Sequence, residues 1–456
     1  NGEAENLKNA NTTPSLSPQG ALSIAKQYIG ANKYMWEDSN QEQWLKEISD
    51  DGDATFYPEG ELVFVDNYLT SDRDKFMEPT LAYKFNIYAQ EPLSRDYVYV
   101  DAQTGEIVNV VPIIKHAVAT GSAETRYSGT RSIITDSNAG TFRLRDYSRG
   151  LGVETYDMNE GTNYNNAVDF IDDDNNWTAA EWDNAEKDNA ALDAHWGAQM
   201  TYDYFADVHG RNSYDDNGAQ IKSYVHYSSN YENAFWNGSV MTYGDGNTRF
   251  DALTSLDVAA HEIGHAVNTY TANLVYQKES GAMNEGFSDI WGAAVEYYAA
   301  PEKSPWLIGE DIDQQREALR SMSDPNSQGQ PDTYLGTYWI DVSGCSPSSS
   351  NDYCGVHTNS GVLNHWFYLL SVGGSGTNDI GTSFNITGIT IEAAAFIAYR
   401  TESVYLSANS TYADARDYSI QAAEDLYGVG SNEVIQTTNA WNAVGVGSKY
   451  GEMSYC

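Results

Sequence analysis

Basic residues are scarce: 25 Lys and Arg stand against 65 Asp and Glu in 456 residues, a formal net charge of −40. That shortage excludes a broad basic face, and with it the usual electrostatic route to nucleic acid or to an anionic membrane. No run of 18 apolar residues occurs, so nothing in the sequence reads as a bilayer-spanning helix. The polar opening NGEAENLKNANTTP is not a signal peptide, and the expectation is that any export signal has already been removed or left out. Three cysteines are too few for a disulfide-dense scaffold. Cys345 and Cys354 nevertheless close a short loop rich in Ser, Pro and Gly and could pair, which would leave Cys456 over.

What is present describes a folded chain of two or three domains. Hydrophobic residues make up 41%, with 34 Tyr and 11 Trp, and such a store of large side chains does not suit a disordered polymer. The acidic surplus supplies carboxylate oxygens of the kind calcium prefers, or simply a well-solvated surface. No fixed-period repeat is visible, which sets solenoids and propellers aside.

Residues 1–15 form a polar leader. SPQGALSIAKQYIGAN then predicts a helix with Ser17 as N-cap. ELVFVDNYL, LAYKFNIYA and DYVYVDAQTGEIVNVVPI alternate apolar with polar residues as strands do, the last folding back through Gln103, Thr104 and Gly105. Residues 16–116 thus read as a small α+β unit. After Lys115-His116-Ala117 the texture turns to Gly, Ser, Thr, Arg and Tyr with short strand-like runs, and a boundary is placed near residue 116. Helical periodicity dominates from Ala190 onward, in NAALDAHWGAQMTYDYFADVHG, LDVAAHEIGHAVNTYTA and AMNEGFSDIWGAAVEYYAA. It returns in IEAAAFIAYRTESVYL, ADARDYSIQAAEDLYG and SNEVIQTTNAWNAVG, and residues 449–456 form a tail.

One helical segment carries HExxH: His261, Glu262 and His265 in VAAHEIGHAV. Positions i and i+4 share a helix face, so both imidazoles can meet one metal ion while Glu262 points beside it. Gly264 costs about 1 kcal/mol relative to Ala inside a helix, which signals close packing or substrate approach. A hydrolytic zinc site takes three protein ligands and leaves one position open. Glu285, 20 residues past His265, is the candidate third. It stands in NEGFSD, read as the start of the next helix, where a Glu is also favoured by the helix dipole alone. Asp289, one turn later, can orient a ligand imidazole.

HExxH followed by Glu in NExxSD resembles the thermolysin-like neutral metalloproteases, the group of thermolysin, vibriolysin and aureolysin. The resemblance extends through DAHWGAQMTYDYF, NAFWNGSVMTYGDG, GEDI, ALRSMSDP, GVHTNSGVLNH and AAEDLYG, in the same order, and covers 117–448. It implies an α+β, two-lobed zincin: a β-rich N-terminal lobe over 117–255, and the zinc helix with a mainly helical C-terminal lobe over 256–448. It further implies that residues 16–116 are a propeptide that assists folding and inhibits the site, cut near His116-Ala117; an attached binding domain is the alternative.

The resemblance also implies roles for individual residues. His261, His265 and Glu285 hold zinc, and Glu262 acts as general base and later proton donor. His357 and Tyr276 stabilise the oxyanion, with Asp352 orienting His357. Asn233 and Ala234 hold the peptide backbone, and Arg320 hydrogen-bonds the carbonyl beyond the scissile bond. Phe250, Leu253, Val258 and Leu319 wall the S1′ pocket, so cleavage is expected before Leu, Phe, Ile or Val. For calcium the matches are Asp257, Glu296, Glu310 and the Leu307 carbonyl. Pro305 stands where the family commonly has Asp, so one ion is expected at this cluster. Asp172, Asp174 and Asn176 resemble a further calcium loop, and equally a solvated acidic turn.

The function implied is a secreted, monomeric zinc endopeptidase acting on proteins and peptides, made as a zymogen. Two other readings remain. Zinc could be structural in a binding module, against which the intact Glu262 speaks, because a structural site needs no acid/base group beside it. An exopeptidase or amidase could use the same metal, against which NAFWNG and Arg320 speak as parts of a groove for extended peptides.

Overall fold

The computed structural model describes residues 12–49, 51–67, 69, 79–91, 93–113, 117–138 and 140–452. Most of the leader, His116 of the expected cut site, and Cys456 with the end of the tail lie outside the described residues. The described residues fall into two compact units: one runs to Ala119 and takes in Asp136–Gly140, and the other comprises Thr120–Thr135 and Thr141 onward.

In the first unit, helix α1 (Pro18–Ile29) begins where Ser17 Oγ accepts the Gly20 N–H at 3.1 Å, and Pro18 occupies the first helical position. It ends at Gly30. A second helix, α2, spans Ser39–Ser49. Strands β1 (Lys33–Tyr34), β2 (Glu61–Asp66), β3 (Pro79–Glu91), β4 (Leu93–Asp101) and β5 (Ile107–Pro112) form an antiparallel sheet of order β1-β3-β4-β5, with β2 also on β3. The β4–β5 hairpin turns at Gly105, whose φ of 80° is open to glycine at little cost, while Asp101 Oδ1 accepts the N–H groups of Gln103 and Thr104. Ala21, Leu22 and Ala25 of α1 pack on Phe85, Ile87, Val98 and Val100.

Most of the next sheet belongs to the second unit: its three longer strands are β6 (Ala117–Glu124), β7 (Thr130–Asn138) and β8 (Thr141–Arg143), flanked by the two-residue strands Asn176–Trp177 and Ile171–Asp172. Beyond it, β9 (Val153–Asp157), β10 (Ile221–Val225), β11 (Ala234–Trp236) and β12 (Met241–Tyr243) build a second sheet in the order β9-β10-β12-β11. The pairs β9–β10 and β10–β12 are parallel, β11 is antiparallel to β12, and β11 lies at the edge.

The helices follow: α3 (Asn189–His209), α4 (Leu256–Thr269), α5 (Lys278–Ala299), α6 (Asp352–Asn359), α7 (Gly361–Val372), α8 (Ile391–Arg400), α9 (Tyr412–Tyr427) and α10 (Asn432–Ala443). The result is a β-rich N-terminal half and a helical C-terminal part, with α4 buried almost all round. Two expectations need correction. Helix α5 starts at Lys278, so Glu285 lies two turns inside it and a first-turn dipole role does not apply. The polar first turn hides this start from the periodicity, because Glu279 faces inward to accept from the Tyr334 hydroxyl and the Tyr412 N–H. The periodicity over 391–406 also does not run as one α-helix, since Thr401–Tyr405 widens into a π-turn.

Candidate active site

Helices α4 and α5 approach closely because Gly264 permits it. A Cβ there would stand 3.0 Å from Ser288 Cα and 3.2 Å from Trp291 Cδ1. This contact sets the HExxH face against Glu285 and Asp289. His261 Nε2 lies 3.5 Å from Glu285 Oε2 and His265 Nε2 lies 3.4 Å from Glu285 Oε1. Ligand atoms of all three residues fall within 4.8 Å of one another.

The imidazoles are oriented from behind. His261 Nδ1 is 2.8 Å from Asp289 Oδ1, and His265 Nδ1 is 2.6 Å from Asn284 Oδ1, so each ring donates from Nδ1 and turns a bare Nε2 toward Glu285. Asp289 is anchored by both Nε and Nη2 of Arg320, at 2.7 and 2.6 Å, and by Asn364 Nδ2 at 2.8 Å. Glu285 Oε2 and Glu262 Oε2 are buried without a hydrogen-bond partner. Two bare imidazole nitrogens and an orphaned carboxylate oxygen in one place fit a tetrahedral zinc ion with its fourth position open.

Electrostatics divide the two glutamates. Burial raises Glu285, but His357, His265, His261 and Arg320 outweigh it and hold the carboxyl at about 2. Glu262 is pushed up to about 7 by burial, with Glu285 adding to the shift against His265. A carboxyl poised there is suited to moving protons near neutral pH.

Across the cleft, the Tyr276 hydroxyl donates to Glu285 Oε1 and lies 3.1 Å from His357 Nε2. Asp352 holds His357 twice, through its N–H at 2.9 Å and its Nδ1 at 2.5 Å. Burial lowers the His357 pKa, yet Glu285 and Asp352 carry it to about 9. Asp352 begins a left-handed turn through Tyr353, Cys354 and Gly355, with φ of 52°, 49°, 73° and 79°. A disulfide joins Cys354 to Cys345.

These groups line a cleft of about 840 Å³ together with Asn233, Ala234, Phe250, Leu253, Val258, Leu319 and Arg320. The structure therefore brings every expected zinc, oxyanion and substrate-pocket residue to one place, with Asp289 and Asp352 standing behind it. Sequence reasoning missed Asn284, although it adjoins Glu285, and also Ser288, whose Oγ is 3.0 Å from His265 Nδ1.

The expected calcium residues divide. Glu296 and Glu310 meet, joined by Asp311, which was not anticipated. Both Glu296 oxygens and Glu310 Oε2 are buried without hydrogen bonds. Asp257 stands near enough to raise both glutamates, but its own oxygens accept from Ser255 Oγ and the Gly309 N–H. Leu307 pairs with Ser321 in a two-residue strand. Lys303 Nζ, unforeseen, contacts Asp311 and lies 3.4 Å from Glu296. In the other loop, Asp172 accepts from the N–H groups of Asp174 and Asn175, and Asp174 from that of Asn176, so the acids close their own turn.

Helical presentation of two histidines, a third carboxylate ligand and an acid/base glutamate in a long cleft define the class as a metallopeptidase. Residues 120–269 match the family model "Thermolysin metallopeptidase, catalytic domain", and 272–446 match "Thermolysin metallopeptidase, alpha-helical domain". The chain belongs to the thermolysin metallopeptidase family, whose members are zinc metalloendopeptidases. It is 42% identical to a bacillolysin of Brevibacillus brevis over 81% of this chain and 65% of that protein's length. It is 37% identical to a thermolysin of Alicyclobacillus acidocaldarius over 94% of this chain and 76% of that protein. Among solved structures, the precursor of protealysin, a metalloproteinase from Serratia proteamaculans, aligns with a TM-score of 0.51 and 28% identity, covering 65% of this chain and 87% of that one.

Proposed function

We propose that the chain is the zymogen of a secreted, monomeric zinc endopeptidase that cuts proteins before large hydrophobic residues. The observation that carries this reading is the convergence of His261, His265 and Glu285 beside Glu262 at the floor of the cleft. Those three residues would hold the zinc, which when bound supplies a Lewis acid for the scissile carbonyl and the attacking water.

The chain's own groups perform the rest. Glu262 takes the proton of the attacking water and returns it to the departing amine. Tyr276 and His357 donate to the carbonyl oxygen as it gains charge, with Asp352 holding His357 in place. Edge strand β11, which contains Ala234 and follows Asn233, offers main-chain groups to an extended peptide. Phe250, Leu253, Val258 and Leu319 receive the side chain after the cut, discriminating by about 1–3 kcal/mol per methylene. Arg320, held on Asp289, reaches the carbonyl beyond the bond.

Residues 16–116 act as the inhibitory and folding propeptide, removed by self-cleavage near His116-Ala117. One calcium ion binds at Glu296 and Glu310, with Asp257, Asp311 and the Leu307 carbonyl close by in the chain or in the field of the cluster. The supporting observation is the set of orphaned buried carboxylate oxygens there.

Cleavage of intact casein, with and without 1,10-phenanthroline and beside Glu262→Gln, tests the proposal. Activity that vanishes on chelation, returns with zinc and is absent from the variant, whose 116–117 junction stays uncut, supports it. A wild-type protein that holds zinc, loses its first 116 residues and still cuts no protein overturns it.

A further inference from the structure

The two histidines of the site are backed differently. His261 meets a carboxylate directly, and that carboxylate is shared with Arg320. His265 meets a neutral amide, Asn284, and the hydrogen bonds continue. Asn284 Nδ2 donates to Asn268 Oδ1 at 3.0 Å, and Asn268 Nδ2 donates to Glu402 Oε1 at 2.8 Å. Asn268, Asn284 and Glu402 are all buried, and Glu402 lies 134 residues from Asn268 in sequence.

The direction of this relay is set independently by the backbone of Leu274. Its N–H donates to Asn268 Oδ1 at 3.0 Å and its carbonyl accepts from Asn284 Nδ2 at 3.0 Å. With those two contacts made, neither amide can turn over. Asn284 must offer oxygen to His265 Nδ1, and Asn268 must offer its NH2 to Glu402. The far end is an acceptor on both oxygens, since Trp291 Nε1 donates to Glu402 Oε2 at 2.9 Å.

Burying a carboxylate is costly unless it is well bonded, and Glu402 sits in the π-turn Thr401–Tyr405, a distortion that aims side chains at functional sites more often than regular helix does. A chain of aligned hydrogen bonds polarises its members in a low-dielectric interior. A carboxylate at one end therefore strengthens the acceptor presented to the imidazole at the other.

We propose that Glu402 is a positioning residue for His265: through Asn268 and Asn284, in a relay whose direction Leu274 sets, its carboxylate anchors and polarises the acceptor behind the imidazole and so sets how firmly Nε2 holds the metal. The inference rests on His265 being a zinc ligand. It adds a carboxylate behind the second histidine, three hydrogen bonds away, that answers the one directly behind the first.

The test measures zinc affinity of the full chain by competition with a chromophoric chelator, together with the visible spectrum of the cobalt-substituted protein. Glu402→Gln is expected to weaken zinc about tenfold, in the range found when outer partners of metal ligands are replaced, and to shift the cobalt bands. Asn268→Ala should do the same, and Glu402→Gln added to Asn268→Ala should weaken zinc no further, because the relay is already cut.

Wild-type zinc affinity and cobalt spectrum in folded Glu402→Gln overturn the proposal. If that variant does not fold, the same result in Asn268→Ala overturns it. His265→Ala separates the two layers of the argument: a wild type that binds zinc no better than His265→Ala sinks the ligand assignment itself, whatever Glu402 does.

Discussion

Two clusters of buried and half-buried acids sit in the helical part of the chain and behave oppositely. At the HExxH cluster, Glu285 and Asp289 are surrounded by His261, His265, His357 and Arg320, and Glu285 is held at about 2 despite its burial. At the second cluster, Glu296, Glu310 and Asp311 face each other with Lys303 as the neighbouring cation. Burial there raises Glu296 to about 8 and Glu310 to about 9, with Asp257 adding to both. The first cluster carries its own positive charge, on Arg320 and His357, and is assembled in advance for chemistry. The second is a set of acids whose charge must be met from outside. Burial alone does not make a catalytic carboxylate, and the surrounding cations decide which kind of site it becomes.

The sharpest way to break this comparison is Glu262→Gln. The change should lower kcat by about 10³-fold, within the span for loss of general acid–base catalysis, while zinc content and thermal stability stay near wild type. A comparable loss of stability would mean that the first cluster is a structural one. Next in size is removal of calcium with EGTA. Unfolding free energy should fall by about 2.7 kcal/mol relative to protein at 100 times Kd in calcium, with zinc retained in a metal assay. An unchanged denaturation midpoint would remove the second cluster's dependence on a cation.

The pH response should carry opposite signs. In calcium-free protein, native Glu296 and Glu310 keep protons that the unfolded chain releases near 4.5, so their contribution to stability falls as pH rises from about 4.5 to about 9. Glu285 in zinc-free protein does the reverse: its contribution is complete above about 4.5 and is lost as pH falls toward about 2. Urea midpoints across pH, with each metal removed in turn, read both slopes. The smallest expected effect is Lys303→Gln, which should cost about 1 kcal/mol in EGTA and clearly less with calcium present. Equal losses in both conditions would show that Lys303 contributes nothing to balancing the acids.

The chemistry at the cleft floor was legible because it follows local rules. HExxH on a buried helix fixes two ligands by i, i+4 spacing, Gly264 announces the close neighbour, and Glu285 with Asp289 lie one turn apart on that neighbour. The α1 cap at Ser17 and the hairpin at Gly105 were readable for the same reason. What escaped depends on distant chain. Asn268 and Asn284 look like ordinary helix polar residues until Glu402 arrives from a π-turn that no periodicity marks. Asp311 and Lys303 were hidden because their partners are brought in by tertiary packing of α5. The start of α5 was obscured by a Glu279 that points inward to bond Tyr334 and Tyr412.

The left-handed turn at Asp352–Gly355 brings a covalent crosslink next to the cleft. Three of its four residues are not glycine, and each such conformation costs about 1–2 kcal/mol, a cost met by the Cys345–Cys354 disulfide together with hydrogen bonds from Tyr353 N–H to the Ser348 carbonyl and from Cys354 N–H to Asn351 Oδ1. One short arm therefore carries both the covalent crosslink and the Asp352–His357 pair, so a change to either cysteine removes a crosslink made within three residues of a group that faces the cleft.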